Sequence, residues 1–292
     1  MGLISTIKRE VTFMSGLRRT LKWIGDIDVT SANLLPDDLE KSVDAHPDHV
    51  AIQFEDQIWT YRALDAYANR VANWALNEGL KPGDCAALFM ENRPEYIATW
   101  LGLTKAGVVV ALINSNLNSH ALAHCINIAK ARIVIAGGEL AENVASAEAH
   151  FTDAPALWSQ GKRFKGAKDL DVALEKVSTG RPDRAVRDGI KAGAVALYVY
   201  TSGTTGLPKA ARLTHSRTQG MMRAFIAPCG VTARDRVYIT LPLYHGTGGL
   251  CGVGCALYTG ASIILRKKFS ASQFWEEAIA TRATVFVYIG EL

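Results

Sequence analysis

A chain of 292 residues, 49% hydrophobic and 21% charged, has ordinary globular composition and enough length for a substantial core, as one large or two small domains. Lys8, Arg9, Arg18, Arg19 and Lys22, set against Glu10, account for the whole formal charge of +4, so the body is neutral and carries no nucleic-acid-binding face. Cys85, Cys125, Cys229, Cys251 and Cys255 are odd in number and show no paired zinc spacing, so all five read as core thiols of a cytoplasmic, reducing compartment.

Leu3, Ile7, Val11, Met14, Leu17, Leu21 and Ile24 recur at spacings of three and four, which predicts an amphipathic helix with basic residues between them. Charges interrupt it too often for a signal peptide or a membrane span. Two placements fit: on an anionic membrane surface, as a peripheral contact through residues 1–25 helped by Phe13 and Trp23, or packed on the body as a leading helix. Met1-Gly2-Leu-Ile-Ser-Thr6 also fits the myristoylation pattern.

From Pro36 onward the pattern alternates between helix and strand. A short helix over Asp37–Ala45 precedes a hairpin of Val50–Phe54 and Ile58–Tyr61. Arg62–Glu78 has helical periodicity and is ended by Gly79 and Pro82. A strand (Cys85–Met90), a helix with Pro94 at its start, a strand (Val108–Ile113), a helix (Leu117–Ala129) and a strand (Arg132–Ala136) follow. This alternation predicts an α/β fold of mostly parallel sheets with helices on both faces. Residues 139–190 read as surface loops, with Lys162, Arg163, Lys165, Arg181 and Arg184 on a solvated face.

Ala194–Tyr200 is a short, Val- and Tyr-rich apolar run, the pattern of a buried strand. It opens into Thr201-Ser-Gly-Thr-Thr-Gly-Leu-Pro-Lys209. Gly203 and Gly206 let the backbone turn and approach a ligand, and N–H groups in such a loop form an anion-binding concavity. Thr201, Ser202, Thr204 and Thr205 add hydroxyl donors, and Lys209 adds a point charge. These are the parts of a polyphosphate site. It is not a Walker A loop: counted from Gly203, the second Gly position is Pro208, and Ala210 stands where the Mg²⁺-binding Ser or Thr belongs.

His215–Ala227 reads as a helix and Asp235–Leu241 as a strand. Pro242-Leu-Tyr-His-Gly-Thr-Gly-Gly249 comes next. Thr247–Leu265 is uncharged, but its glycines favour a helix, a turn and a strand over a membrane span. Lys267–Ala280 then gives a basic turn and a helix, and Thr284–Ile289 a last strand. Tyr244 and His245 fall just past a strand end, where α/β proteins gather ligand sites, and are candidates for substrate contact.

The run Tyr200–Lys209 resembles the phosphate-binding signature of adenylate-forming enzymes. Together with His215-Ser-Arg217, Pro242-Leu-Tyr-His245, Ile264–Ser272 and Tyr288–Leu292 it is similar to the fatty acid transport protein and very-long-chain acyl-CoA synthetase family. The likeness reaches back to about Pro36. The residue pattern sets residues 1–30 apart as a basic amphipathic segment, and the likeness implies an AMP-binding N-terminal domain over 31–292, incomplete at its C-terminus. It also implies a long- or very-long-chain fatty acid–CoA ligase, which uses ATP and Mg²⁺ to make an acyl-adenylate and then transfers the acyl group to coenzyme A.

By that resemblance Tyr200, Thr201, Ser202, Gly203, Thr204, Thr205, Gly206 and Lys209 bind the phosphates. Lys209 stabilises charge as pyrophosphate leaves. Tyr244 and His245 line the meeting point of carboxylate and α-phosphate, with His245 and Lys209 as the catalytic pair. Thr204 or Thr205 helps to order Mg²⁺, and the sequence does not choose between them. Gly246-Thr-Gly-Gly249 departs from the pattern expected after that histidine, which leaves the shape of the acyl channel open.

The family's Thr-Glu motif, ribose-binding Asp, adenine segment and mobile C-terminal domain have no counterpart here. The expectation is therefore an incomplete N-terminal domain that does not complete catalysis alone, which fatty-acid-dependent AMP formation by the 292-residue chain would refute. Two other functions stay in view: a non-catalytic lipid-binding or membrane-associated protein, and an adenylating ligase for a different carboxylic acid.

Overall fold

The computed structural model describes residues 3–201 and 206–290; Met1-Gly2 of the myristoylation pattern and the closing Glu291-Leu292 lie outside this range. In chain order the elements begin with α1 (Leu3–Ile24), α2 (Leu35–Ala45), β1 (Val50–Phe54), β2 (Gln57–Thr60), α3 (Tyr61–Asn77), β3 (Cys85–Phe89), α4 (Pro94–Lys105) and β4 (Val109–Leu112). Next are α5 (Ser119–Ile128), β5 (Ala131–Gly137), α6 (Ala141–Ala147), β6 (Ala156–Gln160), β7 (Lys168–Asp169) and α7 (Leu170–Glu175). β8 (Val195–Thr201), β9 (Lys209–Thr214), α8 (His215–Arg223), α9 (Ile226–Cys229) and β10 (Arg236–Ile239) follow. A π-helical turn (Gly246–Gly252), α10 (Val253–Thr259), β11 (Ser262–Leu265), α11 (Phe274–Ala280) and β12 (Val285–Val287) complete the described chain.

The strands form two sheets. Seven lie in the order β7-β6-β5-β3-β4-β8-β9, and five in the order β12-β10-β11-β1-β2. All pairings are parallel except the hairpins β1–β2 and β8–β9. Alternation along β3 and β4 sends Ala86, Leu88, Val110 and Leu112 into a core shared with the five-stranded sheet. The opposite residues, Cys85, Ala87, Phe89, Val109 and Ala111, face α5 and α6. Side chains on both faces of these strands are buried, as a parallel sheet covered by helices requires.

Local signals explain the helices between the sheets. Thr60 caps α3 by accepting from Ala63 N at 3.1 Å, and Pro94 opens α4, where a missing N–H costs nothing. Every residue of α4 but Glu95 is buried, so this helix is apolar all round because it has no water face.

The segment 139–190 departs from its reading as surface loop. β6 and β7 extend the seven-stranded sheet, β6 pairing in parallel with β5 and β7 with β6, and such pairings leave no local trace in sequence. Nor are Arg181 and Arg184 merely solvated: Arg181 pairs with Asp44 and Asp65, and Arg184 with Asp37. Beside them Arg187 is 1% exposed, donating to Lys105 O and to Asp37 at 2.9 Å each. Lys105, equally buried, meets Asp65 at 2.5 Å, Asn69 at 2.7 Å and Glu40 at 3.1 Å. These charges form a seam joining α2, α3 and α4 to the loop before β8.

The thiols divide as well. Cys85, Cys125 and Cys255 are buried, whereas Cys251 is half-buried and Cys229 exposed, so only three are core thiols; all five are free.

Candidate active site

The C-terminal ends of β8, β4 and the loop after β10 converge on a cavity of about 510 Å³ lined by Asn114, Leu117, Tyr200, Thr201, Gly206, Pro208 and His245. Among the expected phosphate-site residues, Ser202, Gly203, Thr204 and Thr205 lie outside the described residues. Their two flanks are described. Thr201 and Lys209 pair across the β8–β9 hairpin, an antiparallel strand pair that the sequence reading did not include. Gly206 has φ +94°, a conformation that disfavours any residue with a Cβ. Lys209 is exposed in register with Thr201, though it is not among the residues lining the cavity. Tyr200 reaches the cavity, but its hydroxyl donates to Cys125 O at 2.7 Å, so the phenol anchors β8 to α5.

Tyr244 and His245 stand side by side, ring centroids 4.6 Å apart. Tyr244 is buried, and its Oη accepts from Asn116 Nδ2 at 3.5 Å. Burial pushes its phenol above the ordinary range, while hydrogen bonds from Ser115 and Asn116 act the other way. His245 opens onto the cavity on one side, and partial desolvation lowers its pKa, favouring the neutral ring. A neutral imidazole can donate from one nitrogen and accept at the other.

Sequence reasoning missed the residues beneath the pair. Asn114, Ser115 and Asn116 follow β4 directly, and the rule that flagged His245, a polar residue past a strand's carboxyl end, applies to them equally. His124 on α5 lies with Nε2 3.1 Å from Pro208 O and donates to it, tying the descending limb of the phosphate loop to a helix. No periodicity announces that contact.

A second cavity of about 170 Å³ lies behind the π-helical turn, lined by Phe225, Thr247, Cys251, Cys255, Val285 and Phe286 among others. Thr247, which lines this smaller apolar cavity, is two residues from His245, which lines the larger one. Among the described residues no group of three His, Cys, Asp or Glu side chains could hold a metal ion, and no helix is long and apolar enough to cross a membrane.

Comparison with known proteins bears on this geometry. Over 243 residues the chain is 41% identical to long-chain fatty acid transport protein 1 of Bos taurus, covering 80% of this chain and 37% of that protein. It is 36% identical over 251 residues to a medium/long-chain fatty acid–CoA ligase of Mycobacterium tuberculosis, covering 84% and 40%. The chain thus spans less than half the length of these relatives. The fold matches MbtA of Mycobacterium smegmatis with a TM-score of 0.81 at 22% identity, covering 92% of this chain and 50% of that one. It also matches a fatty acyl-CoA synthetase of Mycobacterium tuberculosis with a TM-score of 0.75 at 24% identity, covering 89% and 49%. A model of the AMP-binding enzymes matches residues 39–292, which include both sheets and the cavity between Thr201 and His245. The chain belongs to the AMP-binding enzyme family.

Proposed function

We propose that this chain carries the fatty acid- and phosphate-binding part of an ATP-dependent long-chain fatty acid–CoA ligase. The observation that carries the reading is the cavity at the strand ends lined by Thr201, Gly206 and His245 and flanked by the Thr201–Lys209 hairpin, with a separate apolar cavity lined by Thr247 two residues beyond His245. In the reaction proposed, a carboxylate oxygen of the fatty acid attacks the α-phosphorus of ATP, the bond to the β-phosphate oxygen breaks, and pyrophosphate leaves. The thiol of coenzyme A then displaces AMP from the acyl carbon. Thr201, Ser202, Gly203, Thr204, Thr205 and Gly206 would hold the β- and γ-phosphates. Lys209 would balance the charge that grows on the leaving pyrophosphate. His245, kept neutral, and Tyr244 would orient the carboxylate, and the acyl tail would enter the apolar cavity past Thr247. Mg²⁺ would accompany the phosphates of ATP; the described residues offer no acidic cluster that fits it, and no step is assigned through it.

Calorimetric titration of the 292-residue chain with a non-hydrolysable acyl-adenylate mimic, palmitoyl-sulfamoyl-adenosine, tests this reading. Saturable one-to-one binding that strengthens with acyl length is expected. Binding of palmitate with no binding of ATP, whose phosphates the Thr201–Lys209 hairpin would hold, would replace the ligase reading with that of a lipid-binding protein.

The same proposal treats residues 1–30 as an appendage that contacts a membrane surface. On α1, Ile7, Val11, Met14, Leu17 and Leu21 recur along one face and are 41–63% exposed, with Arg9, Arg18, Arg19 and Lys22 exposed between them. An apolar stripe with basic neighbours complements an anionic bilayer surface. Co-sedimentation with phosphatidylserine vesicles is expected for the native chain, and its loss in Leu17→Glu/Leu21→Glu. Equal sedimentation of the two proteins would assign α1 to the protein body.

A further inference from the structure

We propose that Asn92, which has no part in the chemistry above, is a positioning residue: its side-chain amide ties the two sheets together and sets the segment that presents Tyr244 and His245. Asn92 follows the end of β3 in the seven-stranded sheet and is 5% exposed. All its partners belong to the chain leaving the five-stranded sheet. Nδ2 donates to Leu241 O and to Arg266 O, both at 3.0 Å, and Oδ1 accepts from Leu243 N at 2.9 Å. Leu241 follows β10 and Arg266 follows β11, so one side chain spans the ends of three strands in two sheets. Both N–H donors of the amide are used, and its oxygen has one occupied site, leaving it no rotational freedom.

The neighbours of Asn92 are held from the other side. Glu91 N donates to Glu139 Oε1 at 3.0 Å, Arg93 meets Glu139 at 2.6 Å, and Arg93 donates to Gln160 at 2.8 Å. Glu139 and Gln160 belong to the ends of β5 and β6, so residues 91–93 form a crossbar from the outer half of one sheet to the middle of the other. The gripped segment is also backed by glycine. A Cβ at Gly249 would collide with the Leu243 carbonyl, so the π-helical turn lies directly on the backbone that Asn92 holds. Leu243 is buried, and the next two residues are the pair at the cavity. With both sides of Leu241–Leu243 fixed, Tyr244 and His245 have a single direction in which to project.

The consequence for ligand binding rests on the ligase reading; the structural part does not, and the experiment separates them. His245 is followed by ¹H–¹³C NMR in the ligand-free chain, where the adjacent Tyr244 ring shifts its imidazole signals. In Asn92→Ala these signals are expected to move towards free-histidine positions, and its pKa to rise towards the ordinary imidazole value. Asn92→Asp keeps the acceptor for Leu243 N but loses both donors, and an intermediate displacement is expected. Asn69→Ala is the control: Asn69 is a buried asparagine of α3 that donates to Thr179 O far from the cavity, so its loss destabilises the fold without moving His245.

Palmitoyl-sulfamoyl-adenosine is then expected to bind Asn92→Ala about tenfold more weakly, equivalent to about 1.4 kcal/mol. If wild type fails to bind the mimic, the ligase reading falls while the NMR result still judges the crossbar. Unmoved His245 signals in a folded Asn92 variant overturn the crossbar. If neither variant folds, hydrogen exchange in the native chain decides: Leu243 N–H is expected to be protected, and an unprotected amide overturns the proposal.

Discussion

Two polar regions of the molecule handle charge in opposite ways. In the seam beneath α2, α3 and α4, Lys105 and Arg187 are almost wholly buried, and both are ion-paired, sharing Glu40. On the β8–β9 hairpin beside the cavity the Lys209 side chain is exposed, and it makes no hydrogen bond or ion pair with another described residue. A buried charge without partners is costly, so the seam persists only as a closed set; a charge that meets water can be left open for a ligand. Burial with pairing marks architecture here, and under the proposed function the exposed, unpaired side chain is the one that would meet a guest.

The sharpest way to break this contrast is at the seam. Lys105→Met leaves Glu40 and Asp65 facing each other without their shared cation, and a loss of about 3–5 kcal/mol in stability is expected by urea unfolding. A loss below about 1 kcal/mol would show that the seam is no more than a solvated charge cluster.

Next in size is a pH effect at the edge of the same region. His215 is 4% exposed, its Nδ1 has no hydrogen-bond partner among the described residues, and burial lowers its pKa from 6.5 to about 4. As pH falls below 6.5 the unfolded chain takes up a proton that the folded chain refuses until about pH 4. Stability is therefore full above pH 6.5 and declines towards pH 4, by about 3 kcal/mol over the window. Urea unfolding from pH 7.5 to pH 4 should show that decline, and His215→Gln should flatten it. An equal slope in both proteins would assign the pH dependence to other groups.

The smallest effect on stability is expected at the cavity. Lys209→Met should leave unfolding within about 0.5 kcal/mol of wild type, because an exposed and unpaired lysine contributes little to folding. The same change should weaken palmitoyl-sulfamoyl-adenosine little, since that mimic lacks the β- and γ-phosphates, but weaken ATP about tenfold. Unchanged ATP affinity would remove Lys209 from the site, in keeping with its place outside the cavity lining.

What could be read from the sequence follows from where each signal is stored. The helices α3 and α4 and the strands β3, β4 and β5 announce themselves through periodicity, glycine stops and an opening proline, all local properties. β9 does not: Lys209-Ala-Ala-Arg-Leu-Thr214 has neither apolar alternation nor β-branched density, and it is a strand because β8 supplies its hydrogen bonds. β7 is two residues long and exists only as an extension of β6. The seam was hidden for a related reason, since Arg187 finds Asp37 and Glu40 about 150 residues away along the chain. At the site, Tyr244 and His245 stood out through their motif and their place after a strand. Asn92 and His124 did not, because their partners are backbone carbonyls and amides that no side-chain pattern records.

That last property constrains how the fold can be recombined. Every group that Asn92 holds in the other sheet is main chain, so its requirements are one-sided. A chimera that keeps residues 85–105 and imports the stretch from β10 to β11 from a distant relative would still find carbonyls and an amide where the asparagine needs them, whatever side chains came with the graft. The reverse graft, which discards Asn92, would have nothing on the retained half to compensate. Joints between halves of such proteins should therefore tolerate drift on one side and hold firm on the other.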